Sequence, residues 1–448
     1  MLSRRLAFGS VQKLFFEPGS RSATVSSSVS SCSYAATNPS LSRYTTAATT
    51  SLSSLTTSIT TISLLQQYRS MTTIKFKQIN PTNNANTDAS SSSSKQPLAR
   101  SSHGLSIIQN GSLLVLYGGE HVARTPIEET NPSQELWLAK KTTTTTTGDD
   151  AQQDEDWQWI IPTTTNNNNN RGIYFQPPAR VAHAQASVGN TIYIFGGRNG
   201  ITMGENPMND LWMLEIDSDA DAVNWTQVNY DTTTTTVVPE ARSFHKMVAI
   251  GTNLYVFGGC GASGRLNDLW KFDTLTSQWT ELGVSNVLRG RGGPNVLTLD
   301  DNQKIAIVAG FAGEETNDGH VYSIGDTKWE EEGMKGLEVM RPRSVCCFAS
   351  LPKVNRCVIF GGEVDPSQKG HEGAGGFERD VVILDGTSGS VLENIKPAGS
   401  DEEKDWPGNR GWADATVYED SFYIFGGLAG DDASPIRLDD LWQCQVSP

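Results

Sequence analysis

A short residue pattern recurs six times along this chain, always in the same order, and nothing else in the sequence restricts its fold as much. Each copy opens on an arginine: Arg100, Arg180, Arg242, Arg291, Arg343 and Arg410. Sixteen or eighteen residues later comes a glycine pair: Gly118-Gly119, Gly196-Gly197, Gly258-Gly259, Gly361-Gly362 and Gly426-Gly427, with Ala309-Gly310 in the fourth copy. An acid with apolar partners follows: Glu135-Leu136-Trp137, Asp210-Leu211-Trp212, Asp268-Leu269-Trp270, Asp318-Gly319-His320, Asp380-Val381-Val382 and Asp440-Leu441-Trp442. A tryptophan ends the first four copies (Trp159, Trp225, Trp279, Trp329), and the fifth lacks it.

The third copy shows what the unit is. Residues 241–282 read as four short strands closed by turn signals at Gly251-Thr252-Asn253, Gly258-Gly259 and Thr276-Ser277. One such sheet cannot bury its faces alone, so its neighbours must stack on it. The expected fold is all-β: a six-bladed β-propeller over residues 71–448, with blades beginning near 99, 179, 241, 290, 342 and 409. The sixth copy stops after Trp442-Gln443-Cys444-Gln445, one strand short. Residues 72–79 carry Phe76-Lys77-Gln78-Ile79, which mimics Trp279-Thr280-Glu281-Leu282. They are expected to supply the missing strand and close the ring, removing an exposed sheet edge.

Residues 1–70 differ in kind. They hold Arg4, Arg5, Lys13, Arg21, Arg43 and Arg69 against one acid, Glu17, in a Ser/Thr-rich background. That is the composition of a mitochondrial or plastid transit peptide; a disordered tail, or sequence upstream of a start at Met71, is the alternative and would leave the protein cytoplasmic. Polar tracts at 83–94, 142–147, 163–170 and 232–236 read as disordered insertions between strands. The net charge of −15 argues against nucleic acid and anionic membrane as partners, and no apolar run reaches spanning length. The six cysteines show no CxxC and read as reduced core residues in a monomer.

The repeated Arg…Gly-Gly…Asp-Leu-Trp pattern resembles the kelch repeat. Strand alternation puts the start of each innermost strand and the loop after each glycine pair on one face. The six arginines are therefore candidates for binding a small anionic substrate or an acidic peptide or protein. Pairing of most of them with a blade Asp is the competing expectation, and would leave one to three free. Two loops on that face carry further chemistry. The fourth has Glu314, Glu315, Asp318 and His320; the fifth, glycine-rich, has Glu363, Asp365 and His371. Two carboxylates and an imidazole suit Fe(II); a solvated acidic loop is the plainer alternative. His103, His183 and His245 recur three residues after a repeat arginine, which points to architecture.

Residues 285–445 are similar to the specifier proteins of glucosinolate breakdown, through Arg291-Gly292-Gly293, Arg343-Ser344-Val345, Ile359-Phe360-Gly361-Gly362-Glu363-Val364, His371-Glu372-Gly373-Ala374-Gly375, Arg410-Gly411-Trp412 and Asp439-Asp440-Leu441. The resemblance implies a six-bladed kelch propeller with an Fe(II) site of pattern Glu-x3-Asp-x3-His, arginines that hold a sulfate, and an Fe(II)-dependent lyase acting on a small anionic sulfur compound. Glu363 and His371 keep the spacing, but Ser367 stands at the middle position and the acid is Asp365. Either Asp365 reaches the ion from a reshaped loop, or metal binding is altered or lost. A non-enzymatic module that grips an acidic partner, and a sugar-acid mutarotase, are the other functions left open.

Overall fold

The computed structural model describes residues 72–83, 96–130, 134–145, 153–164, 176–199, 206–230, 237–397 and 405–448. The basic leader and most of the polar tracts lie outside them. Six antiparallel sheets follow one another, each four strands deep apart from short additions. The innermost strands are Gly104–Ile108, Ala184–Val188, Lys246–Ile250, Asn295–Leu299, Cys347–Leu351 and Asp414–Tyr418. Each touches the next, and the sixth touches the first, so the sheets are the blades of a six-bladed β-propeller. The outermost strand of the last blade is Thr73–Ile79, paired antiparallel with Leu441–Ser447. Parts of the polar tracts are ordered strand: Thr142–Thr145 extends the third strand of the first blade, and Thr163–Thr164 pairs with Ala222–Val223 on the rim of the second.

Two closed circuits of backbone hydrogen bonds hold the blades at the axis. In one, the N–H groups of Ser102, Ala182, Phe244, Gly293, Val345 and Trp412 each donate to the same position in the preceding blade, at 2.8–3.0 Å. In the other, the second residue of each glycine pair donates to the carbonyl of the next blade's arginine, at 2.8–3.1 Å, and Gly427 returns to Arg100. Both depend on left-handed backbone. The six residues of the first circuit have φ between 47° and 58°, including β-branched Val345. The second glycine is obligatory for a further reason. A Cβ on Gly119 would stand 2.7 Å from the Ser101 carbonyl oxygen. Ala309 keeps the left-handed conformation of the glycine it replaces, at φ 60°.

The six repeat arginines are interior. Each is 0–2% exposed. Five form two-pronged pairs with the Asp of their own blade: Arg180 with Asp210, Arg242 with Asp268, Arg291 with Asp318, Arg343 with Asp380 and Arg410 with Asp440. A guanidinium N–H of every one also reaches the carbonyl of the first glycine, or of Ala309. In the first blade, Glu135 replaces the Asp and the Arg100 fork bonds backbone carbonyls of Leu98, Gly118, Gln134 and Glu135. One fork thus fastens the start of the first strand, the end of the second and the start of the third.

Between blades, each outer-strand tryptophan packs on a second-strand aromatic of the preceding blade. Trp225 meets Tyr117 at 5.1 Å, Trp279 meets Phe195 at 5.0 Å, Trp329 meets Phe257 at 5.9 Å, and Trp159 meets Phe425 at 5.7 Å. In the last blade Phe76 takes that place, 5.6 Å from Phe360. Among the described residues the five cysteines are free and buried.

Breaking a buried ion pair strands a charge away from water, at a cost of about 3–5 kcal/mol. Asp380→Ala, whose carboxylate is 2% exposed, is expected to lose that much in a urea unfolding experiment. Asp318→Ala, at 44% exposed, should lose clearly less.

Candidate functional site

A cavity of about 340 Å³ opens on the face where the glycine-pair loops emerge. Its floor is the inner hydrogen-bonded circuit, which contributes Phe244, Gly293, Val345 and Trp412. Phe311, Cys260 and Arg265 form one wall, and Ser344 and Glu363 another. Pro366, Ser367 and Gly370, from the fifth blade's loop, roof it, with Arg124 beside them. The size is that of a small-molecule pocket: mostly apolar, with a few convergent polar groups.

Its cations are not the repeat arginines. Buried and engaged in their forks, Arg100, Arg180, Arg242, Arg291, Arg343 and Arg410 present no face to a ligand or an acidic protein. The anion-binding role expected for them gives way to a structural one. Arg124, in the first blade, and Arg265, at the start of a strand in the third, line the cavity, while Arg198, just after Gly196-Gly197 in the second, lines a separate small cavity that shares Phe244 and Trp412 with it. Arg265 lies over the Phe311 ring at 4.6 Å, and Arg198 over the Phe244 ring at 5.0 Å. Arg198 is 2% exposed, and burial lowers its pKa. The Nε groups of Arg124, Arg198 and Arg265, and Nη1 of Arg198, are buried with no hydrogen-bond partner in the protein. A buried donor left unmet costs about 1–3 kcal/mol, so such groups mark a place built to meet an acceptor. The sequence draws attention instead to the six repeat arginines and to clustered acids and imidazoles. The available signal was Arg198, directly after a glycine pair.

Two carboxyl groups belong to this region: Glu363 lines the cavity, and Glu315 is hydrogen-bonded to the lining Ser344. Burial pushes Glu363 up to about 7; the Ser367 N–H at Oε1 opposes this and the Asp432 charge adds to it. Burial, then the charge of Glu363, pushes Glu315 up to about 8. The Ser344 hydroxyl donates to Glu315 Oε1 at 3.2 Å, and Glu315 Oε2 has no partner in the protein.

The three expected iron ligands are not brought together. Glu363 pairs with Phe377 and Asp365 with Gly376, so Val364 is an extra residue in the strand. That bulge sends the two carboxylates to opposite faces. Glu363 turns inward, while Asp365, 66% exposed, is gripped by both oxygens on Arg341 at 2.7 and 2.8 Å. The backbone of residue 371 belongs to a 3-10 turn, Gly370–Glu372; the His371 side chain lies outside the described residues. Among the described residues no group of three or more His, Cys, Asp or Glu could hold a metal ion. Of the described ligand candidates, Glu363 and Asp365 diverge and do not fit a shared Fe(II) centre.

The fourth blade's loop is likewise divided. Glu314 is exposed on Arg289, Asp318 belongs to the Arg291 fork, and His320, fully buried, bonds Ser285 Oγ and the Glu330 carbonyl while stacked on Trp329. Only Glu315 serves the cavity region. His103, His183 and His245 pack edge-on against Phe425, Tyr117 and Phe195 of the preceding blades, and burial depresses their pKa values. A second cavity, about 330 Å³, lies further along the channel, where the only charged lining groups, Lys246 and Asp414, pair with each other at 3.3 Å.

Residues 147–362 match a family model described as the KLHDC2/KLHL20/DRC7 Kelch-repeats domain. The fold is a six-bladed kelch β-propeller. Over 266 residues the kelch chain is 28% identical to N-(sulfonatooxy)prop-2-enimidothioate sulfolyase of Thlaspi arvense, covering 54% of this chain and 70% of that protein. It is 25% identical over 288 residues to human leucine-zipper-like transcriptional regulator 1, covering 60% of this chain but 30% of that protein. Host cell factor 2 of Homo sapiens is 33% identical over 247 residues, 50% of this chain and 28% of that protein. The solved structure of YjhT superposes with a TM-score of 0.50 at 14% identity, covering 79% of this chain and 98% of that one, which is a likeness of fold alone. The chain carries kelch repeats and is similar both to a sulfolyase and to proteins of which it spans under a third.

The raised carboxyls set a pH dependence. An acid whose folded pKa lies above its unfolded value binds protons more tightly when folded, so its contribution to stability falls as pH rises. The window runs from about 4.5 to about 8 for Glu315 and from about 4.5 to about 7 for Glu363. Glu315→Gln should therefore gain on the parent protein as pH is raised from 5 to 8, read as the difference between their urea midpoints at each pH. A constant difference would contradict the buried environment described.

Proposed function

We propose that the cavity binds a small organic anion of the sulfated or sulfonated class, with an apolar remainder, and promotes loss of its sulfate. The observation that carries this is the pair of buried, unpartnered Nε–H groups of Arg124 and Arg265 lining a cavity with aromatic walls, with the unmet donors of Arg198 in the small cavity beside Phe244 and Trp412. A tetrahedral oxyanion offers several acceptors to such donors, and arginine forks suit it geometrically. Phe244, Phe311 and Trp412 suit an aliphatic or aromatic remainder. Likeness to a sulfolyase over 70% of that protein's length supports the same class.

In the proposed reaction the carbon substituent of an O-sulfonated thiohydroximate migrates from carbon to nitrogen as the N–O bond breaks, giving an isothiocyanate, and the bonding pair leaves on the departing sulfate, where negative charge gathers. Fixed guanidiniums in a site shielded from water stabilise that charge more than bulk solvent does. Glu315 and Glu363, with raised pKa values, limit competing negative charge in the same cavity near neutral pH.

Sulfate release from N-(sulfonatooxy)prop-2-enimidothioate tests this directly. The protein is expected to accelerate release above the spontaneous rate in a saturable way. Arg265→Ala should lower kcat/KM at least about tenfold, equivalent to about 1.4 kcal/mol. Release at the spontaneous rate, together with no saturable binding of the compound, would overturn the proposal.

A further inference from the structure

Position 367 is where the specifier pattern calls for an acid and where this chain has a serine. Its surroundings show what the serine does. The Ser367 hydroxyl donates to the Asp432 carboxylate, which comes from the loop of the sixth blade. The same carboxylate accepts from the Gln368 N–H at 3.2 Å, and the Asp432 carbonyl accepts from Lys369 Nζ. Ser367 Oγ accepts in turn from the Lys369 N–H at 3.0 Å, and the Ser367 N–H reaches Glu363 Oε1 at 3.4 Å. Gly373 lies against the junction: a Cβ there would collide with both Ser367 Oγ and Asp432 Oδ1. On the far side of the roof, Glu372 stands 3.9 Å from Arg124 Nη1.

From this we infer that the fifth-blade loop is fastened over the cavity by protein groups alone, with Asp432 as the latch and Ser367 as its catch. In a Glu-x3-Asp-x3-His loop a bound ion can tie the strand stem to the loop tip. Here the stem carboxylate, Glu363, bonds the amide of residue 367, and the hydroxyl of residue 367 bonds the neighbouring blade. The loop is thereby tied at both ends without an ion. Pro366, Ser367 and Gly370 line the cavity roof, so the latch holds the lid of the site under which the proposed anion sits. A ligand larger than the mouth enters when the Ser367–Asp432 contact opens.

The inference concerns the ligand-free protein and is tested without any substrate, so its fate is separable from that of the proposed reaction. Hydrogen–deuterium exchange is followed for the amides of residues 367–373 in the parent protein and in the Ser367→Ala and Asp432→Ala variants. Both variants should exchange at least about tenfold faster in this segment, with exchange in the innermost strands unchanged. EDTA, or Fe(II) added anaerobically, should leave the parent's exchange as it was. Unchanged exchange in both variants overturns the latch. Faster exchange in the parent on adding EDTA, or slower exchange on adding Fe(II), also overturns it, because an ion would then be fastening the loop.

Discussion

Everything in this propeller hangs on a charge that has been taken out of water. Each blade buries a guanidinium at its axial end, which is tolerable only if the fork is met on all sides. Meeting it fixes three chain segments at once: the first strand's start, the glycine-pair carbonyl and, in five blades, an Asp two residues before a tryptophan or its replacement. The Trp212 indole N–H closes the same arrangement on Asp210 at 2.6 Å, and Trp270 and Trp442 do so on Asp268 and Asp440. The first blade, with Glu135, lacks the pair. Arg100 there relies on carbonyls, and burial pulls its pKa down.

Because the arginine backbone is pinned, its carbonyl is aimed at the glycine of the preceding blade, and the next-but-one residue is forced into the left-handed region. The two hydrogen-bonded circuits follow from that. They also make the cavity floor. The same constraint that builds the fold therefore decides which positions can face a ligand: the residues two after the arginine, and those just beyond the glycine pair. Loops at the second position can vary without disturbing the forks, which is where Arg124, Arg198, Arg265, Glu363 and Asp432 are found. Scaffold and site use the same residue type, arginine, for opposite ends: every fork met in one, Nε donors left unmet beside the cavity in the other.

The repeat made the fold legible. Arginine, glycine pair and acid recur because each fills a role that geometry repeats six times, and a sequence shows recurrence directly. Phe76 could be matched to Trp279 for the same reason. The site was less legible. Six conspicuous arginines suggested a charged funnel, but a count of charges does not say which are paired. Asp365 suggested a metal ligand by spacing, but a one-residue bulge at Val364 reversed its direction, and bulges leave little trace in composition. Asp432 lies 65 residues from Ser367 in the chain, and nothing local links them.

By itself, then, the sequence determined a six-bladed kelch propeller, since that rests on local strand signals and on periodicity. The tertiary structure alone decided which arginines remain available to an anion, that Glu363 and Asp365 point apart, and that the fifth loop is held by the sixth blade. Those outcomes depend on burial and on contacts between distant segments. Neither property is carried by any one stretch of residues; both arise when the ring brings the loops together.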